Sequence, residues 1–256
     1  MPYMNINGNN MYYTDNGEGI SIIFVHPPVL TSLNFKYQME GLSPYFRIIA
    51  FDIRGHGKSE PSNMNITYPL IVEDIKQLMI SLNIEKAYLC GYSTGGSVVL
   101  EFLLTHPELA LGGIVIGGMS EVSDKTLKSR ISYGRMFAKI GAIRAIALST
   151  AWTQADRPRL FWQLFHDAKK ANANNAEQYY EYSLQYNCTA QLGNIEQPVL
   201  LIHGGKDKLF KPYAELLSQR LPNNELVTIK GADHRIPTKQ ADQLNRLIRQ
   251  FIHRLK

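Results

Sequence analysis

Ser93, Asp207 and His234 are three side chains that can together activate a hydroxyl group, and each lies where an apolar run ends. Ser93 sits in Gly91-Tyr92-Ser93-Thr94-Gly95-Gly96, between the strand-like run at 86–92 and the helix-like run SVVLEFLLTH. A serine on so sharp a turn has strained backbone angles, and glycines two residues to either side let neighbouring segments pass without clashing. Its hydroxyl is then held out at the top of a sheet, and the following helix aims its first amides at the reaction centre. A serine hydroxyl is a poor nucleophile at neutral pH unless a base takes its proton and a third group sets that base's tautomer. Asp207 in HGGKDKLF and His234 in KGADHRIP follow successive strand-like runs. Loops after parallel strands emerge at one edge of a sheet, so the three residues can meet.

Other candidates for these roles are weaker. Asp233 is a rival acid, but a sequence neighbour rarely faces the imidazole of His234 squarely; Asp52 is a second rival. His106 begins a helix exit, His166 and His253 fall on helix surfaces, and His203 lies at a strand end. Cys90 lies inside a strand and reads as a small buried hydrophobe.

The elements that must position these groups follow from the apolar pattern. Runs at 20–26, 46–52, 86–92, 110–118, 197–204 and 225–231 are short, rich in β-branched residues and mostly continuously apolar. Such strands are expected in a parallel sheet covered on both faces by helices. Leu70, Ile71, Ile75, Leu78, Met79 and Leu82 mark one helical face, and Leu244, Leu247, Ile248, Phe251, Ile252 and Leu255 mark another. The second stripe is also basic, so it reads either as a closing helix packed on the sheet or as a membrane-surface or partner helix.

The alternation breaks between residues 119 and 190, a largely helical stretch without clear strands. The expected architecture is therefore a mostly parallel twisted α/β sheet, made of residues 1–118 and 191–256, with a helical lid inserted at 119–190. The insertion holds both tryptophans, Trp152 and Trp162, together with Phe137 and several tyrosines. Small-molecule pockets are lined mainly by apolar and aromatic groups, so Phe137, Trp152 and Trp162 are expected to join His26 and Tyr92 around a substrate. The same aromatics could instead attach the insertion to the body. Arg130, Arg135, Arg144, Arg157 and Arg159 read as solvated or as anchors for a substrate carboxylate.

Bulk properties narrow the class. The 256 residues are 45% hydrophobic with a formal charge of +5, and no run of five like charges suggests a nucleic-acid tail. The polar, Asn-rich start lacks the features of a secretion signal, and no apolar run nears the ~20 residues of a membrane span. Two cysteines, Cys90 and Cys188, fit a reducing, cytoplasmic setting, in which the sequons at Asn65 and Asn187 carry little meaning.

The ordered set FVHPP, FDIRGHGKS, GYSTGG, GGKDKLFKP and GADHRIP resembles the α/β-hydrolase superfamily, in its small, lidded serine hydrolase branch. The resemblance implies Ser93 as nucleophile, His234 as general base and acid, and Asp207 as orienting carboxylate. It implies a structural role for His56, in the turn Arg54-Gly55-His56-Gly57-Lys58-Ser59, and requires neither metal nor organic cofactor. Serine at the turn, where dehalogenases and epoxide hydrolases of the superfamily carry aspartate, implies a serine ester intermediate. The implied reaction is cleavage of a small, mostly apolar carboxylic ester or related acyl compound. The same three side chains would also serve carbon–carbon bond hydrolysis, lactone opening or cofactor-free perhydrolysis, or a slow-turnover ligand receptor.

The chain departs from the family pattern at one loop. The resemblance implies two amide donors for a developing oxyanion, one from Thr94 and one from the loop after the first inner strand. That loop here reads His26-Pro27-Pro28-Val29-Leu30-Thr31-Ser32, and Pro28 has no N–H to give. The first N–H after His26 belongs to Val29, which becomes the expected second donor. A hydroxyl from Thr31 or Ser32, or an incomplete oxyanion hole, are the alternatives.

Overall fold

The computed structural model of the chain describes residues 2–255. The six apolar runs become the strands β3 (Ser21–Val25), β4 (Arg47–Phe51), β5 (Ala87–Tyr92), β6 (Ala110–Ile116), β7 (Val199–Gly204) and β8 (Asn224–Ile229). Two strands that the apolar pattern does not predict precede them, β1 (Tyr3–Ile6) and β2 (Asn9–Asn16), forming a hairpin. All eight join one sheet in the order β1-β2-β4-β3-β5-β6-β7-β8. From β4 to β8 every pairing is parallel, and the hairpin adds antiparallel at the edge through Tyr13 opposite Phe51.

Alternate residues of the strands feed two separate cores, the consequence of side chains pointing to opposite faces at every step. Ile22, Phe24, Tyr88, Cys90, Ile114 and Leu200 face α1 (Lys36–Leu42) and the closing helix α10 (Ala241–Arg254). Ile23, Val25, Leu89, Val115, Val199 and Leu201 face α2 (Tyr68–Ser81), α3 (Thr94–Thr105) and α8 (Lys211–Arg220). Leu244, Ile248, Phe251 and Ile252 of α10 are buried against the sheet, which favours the closing-helix reading of the basic C-terminal stretch. Each such aliphatic or aromatic side chain contributes roughly 1.5–3 kcal/mol on burial. Cys90 and Cys188 are both buried and unpaired. A short helix, α9 (Ile236–Lys239), separates the residue His234 from α10.

Between β6 and β7 the chain leaves the sheet and builds α4 (Lys125–Lys139), α5 (Ile143–Gln154), α6 (Pro158–Ala168) and α7 (Ala173–Gln185). Asp124 caps α4 by accepting from the amides of Thr126 and Leu127, and Asn172 caps α7 at Asn175. Specific polar contacts tie this insertion to the body. Tyr179 donates its hydroxyl to the His26 carbonyl at 2.9 Å, and Asn175 exchanges hydrogen bonds with the backbone of Ser62. Gly55, with φ +69°, is required here: a Cβ would lie 2.3 Å from Asn175 Oδ1.

Candidate active site

Ser93 occupies the junction of β5 and α3 with φ 55° and ψ −123°, a region that non-glycine residues enter only when their surroundings over-determine it. Its N–H donates to the Ile116 carbonyl at 2.9 Å. The turn is tight enough that a Cβ on Gly91 would lie 2.2 Å from the Gly95 carbonyl oxygen, and one on Gly95 2.2 Å from that of Val25. No side chain caps the first amides of α3; the Gly96 amide donates to the Ser93 carbonyl at 2.9 Å.

The structure brings the three predicted polar groups together. His234 Nε2 lies 3.1 Å from Ser93 Oγ, and His234 Nδ1 lies 2.8 Å from Asp207 Oδ2. A carboxylate can only accept, so Nδ1 carries the proton and Nε2 is left to accept from the serine hydroxyl. The ring of Phe210 stacks on the imidazole at 4.0 Å, and the Tyr92 ring lies tilted beside it with centroids 5.1 Å apart. The rival acids are engaged elsewhere. Asp233 accepts from the Arg235 amide and guanidinium, which holds its carboxyl down at about 2. Asp52 accepts from the amides of Ser32 and Lys58 and from the Ser32 hydroxyl, and its burial pushes its carboxyl above the usual range.

A cavity of about 200 Å³ opens over Ser93 and His234. Its walls include Pro27, Pro28, Leu30 and Thr94 from the body, with Leu127, Ile131, Gln154 and Tyr180 from the insertion. Of the expected pocket residues only Tyr92 lines it; its hydroxyl accepts from Gln154 Nε2 at 2.9 Å. His26 is fully buried beneath the loop, with Nε2 accepting from the Ile53 amide and Nδ1 therefore donating to the Pro27 carbonyl. Burial lowers its imidazole to about 4. Phe137, Trp152 and Trp162 lie outside this cavity and are 40%, 76% and 55% exposed. Helix composition puts them on the insertion, but the face each occupies depends on packing that no local pattern records. Of the residues that take their place, Tyr180 belongs to the aromatic enrichment of the insertion, whereas Gln154 carries no sequence signal beyond lying in it.

The loop after β3 bears on the second oxyanion donor. Pro28 and Val29 form a turn in which Val29 has φ 67°, an unusual state for a β-branched residue. Proline followed by a residue of positive φ is the pattern of a type II turn. The Val29 side chain is buried among Ala138, Ile143, Ala147 and Ala176 of the insertion, which offsets the backbone strain. Among the described residues neither the Val29 nor the Thr94 N–H has an acceptor. Of the alternative hydroxyls, Ser32 already donates to Asp52, whereas Thr31 only accepts, from the Leu33 amide. Neither lines the cavity.

Residues 21–237 match the family model described as the alpha/beta hydrolase fold, and the chain belongs to that family. Among curated relatives it is 25% identical over 259 residues to the AB hydrolase superfamily protein YisY of Bacillus subtilis, with 94% of each chain covered. It is 26% identical over 258 residues to the serine hydrolase BPHL of Mus musculus, covering 96% of this chain and 84% of that one. Among solved structures, the enol-lactonase of Burkholderia xenovorans LB400 superposes with a TM-score of 0.88 at 20% identity, covering 98% of this chain and 100% of that one, a likeness of fold.

Proposed function

We propose that the protein is a serine hydrolase that cleaves small, mostly apolar carboxylic esters or related acyl compounds through an acyl-enzyme on Ser93. The observation that carries this reading is the continuous hydrogen-bonded line from Ser93 Oγ through His234 to Asp207, set at a strained strand-to-helix turn. The serine hydrolase named among the relatives supports the same reaction class.

In the first half-reaction His234 Nε2 takes the hydroxyl proton as Ser93 Oγ attacks the acyl carbon. Asp207 stabilises the imidazolium through Nδ1–H without itself becoming protonated. The oxyanion receives the Thr94 N–H at the start of α3 and the Val29 N–H. His234 then passes the proton to the departing alkoxide. In the second half-reaction it deprotonates a water that attacks the ester carbonyl, and Ser93 leaves with the returned proton. The cavity of about 200 Å³ lies below the usual range for drug-sized ligands of roughly 300–1,000 Å³, which points to short acyl chains. The helices over the cavity act as its lid.

Turnover of p-nitrophenyl acetate and butyrate by wild type and Ser93→Ala tests this reading. Loss of turnover in the variant is expected; equal rates would remove it. A slow-turnover ligand receptor with the same three side chains is the second reading, favoured by one observation, the prolines where an amide donor would stand. Ligand-induced shifts in melting temperature with turnover below about one per hour would select it over the enzyme.

A further inference from the structure

The outer face of the insertion carries apolar side chains that the site does not use. Leu148 and Trp152 stand one turn apart on α5, 51% and 76% exposed. Trp152 meets Phe161 edge-on with ring centroids 6.1 Å apart, and Phe161 meets Trp162 at 5.0 Å. Trp152, Phe161 and Trp162 line one open cleft; Phe137 of α4 belongs instead to a cleft that shares Arg130, Thr150 and Tyr180 with the cavity over Ser93. At the corner between α4 and α5 stands Ile140, 68% exposed. A monomer rarely exposes so many large apolar groups together without a partner for them.

The charge around these groups is one-sided. Residues 125–170 hold ten Lys or Arg and two acids, Asp156 and Asp167. Both acids are taken: Asp156 pairs with Arg157 and accepts from Tyr37, and Asp167 pairs with Lys170 and Lys58. Arg144 and Arg159 are exposed and, among the described residues, face no carboxylate; the same holds for Lys139. A second copy of so basic a face would be repelled, which disfavours self-association as the means of covering the apolar groups.

We infer that this face docks on an anionic phospholipid surface, with Ile140, Leu148, Trp152 and Trp162 entering the interface and Arg144, Arg159 and Lys139 meeting lipid phosphates. Tryptophan favours such boundaries because its ring is apolar and its N–H stays near the polar layer. Anionic lipid attracts each nearby cation, and the attraction weakens with salt. No helix among the described residues is long and apolar enough to cross a membrane, so the contact is peripheral.

The test uses the full chain and its own reporters, since its two tryptophans both lie on this face. Tryptophan emission is followed on titration with phosphatidylcholine vesicles and with vesicles in which about a third of the lipid is phosphatidylglycerol, each with and without brominated acyl chains. A blue shift and bromine quenching on the anionic vesicles, weak on the neutral ones and reduced by salt, are expected. Arg144→Glu/Arg159→Glu keeps both tryptophans and should lower partitioning by about tenfold or more, with turnover of p-nitrophenyl butyrate unchanged. Absence of any shift with lipid overturns the inference, as does equal partitioning to both vesicle types. A shift that instead follows protein concentration without lipid, with dimers in sedimentation velocity, would assign the face to a second copy.

Discussion

Gly117 lies directly under the imidazole of His234: a Cβ built on it would stand 2.9 Å from Cε1 and 3.0 Å from Nδ1. Its φ of +53° is also one that side chains rarely adopt. The glycine therefore sets how deeply the histidine can settle between Ser93 and Asp207. Gly117→Ala should displace the ring and lower kcat/KM for p-nitrophenyl butyrate by about a hundredfold, since small misplacements of a reacting group carry costs of that order. A variant with native circular dichroism and wild-type kinetics would show that the ring does not depend on this contact.

Pro28→Ala restores the N–H that the loop lacks. With Val29 as the proposed donor, kcat should stay within about threefold of wild type. One missing oxyanion donor costs about a hundred- to a thousandfold, so a rise of that size in the variant would show that the hole is incomplete in the natural chain. Steady-state kinetics on one ester decide between the two.

The meeting of residues 93, 207 and 234 is legible in the sequence because the chemistry demands particular residue types at strand ends, and strand ends are marked by apolar runs. The N-terminal hairpin is not, because Asn9–Asn16 pairs along an edge with little apolar alternation to announce it. The expected aromatic roof fails for a different reason. Helical period says which residues share a face, but whether Trp152 looks in or out depends on how α5 packs between α4 and α6. Gln154, two positions on, is buried against Tyr92, while Trp152 is exposed.

Burial lowers His26 to about 4 and His56 to about 3, from an ordinary value of 6.5. Between those values and 6.5 the unfolded chain binds protons that the folded chain excludes, so stability falls as pH drops through that window and is fully present above it. Each histidine should contribute a loss of up to about 2 kcal/mol by about pH 5. Asp52, raised by burial, acts in the opposite sense over its own window. Urea midpoints for wild type and His56→Gln, at about pH 7.5 and about pH 5, isolate the histidine: the variant should lose less on acidification. Equal losses would contradict the assignment.

Arg54 binds both oxygens of Asp74 at 2.6 Å, and the two side chains are 4% and 1% exposed. Removing one partner strands a buried charge, so Arg54→Ala should lower stability by about 3–5 kcal/mol. Replacing both, as Arg54→Leu/Asp74→Leu, should cost less than the single change. Chemical denaturation of the two variants checks the order, and the reverse ranking would contradict it.

The most direct measurement of the central claim is covalent. An organophosphate such as diethyl p-nitrophenyl phosphate, which phosphorylates an activated serine and releases p-nitrophenol, is incubated with wild type, Ser93→Ala and His234→Ala, and the adduct is located by peptide mass spectrometry. One diethylphosphoryl group on Ser93 of the wild type, none on Ser93→Ala and strongly slowed labelling of His234→Ala are expected. A wild-type chain that stays unlabelled at Ser93, or that is labelled there equally fast without His234, would contradict the account.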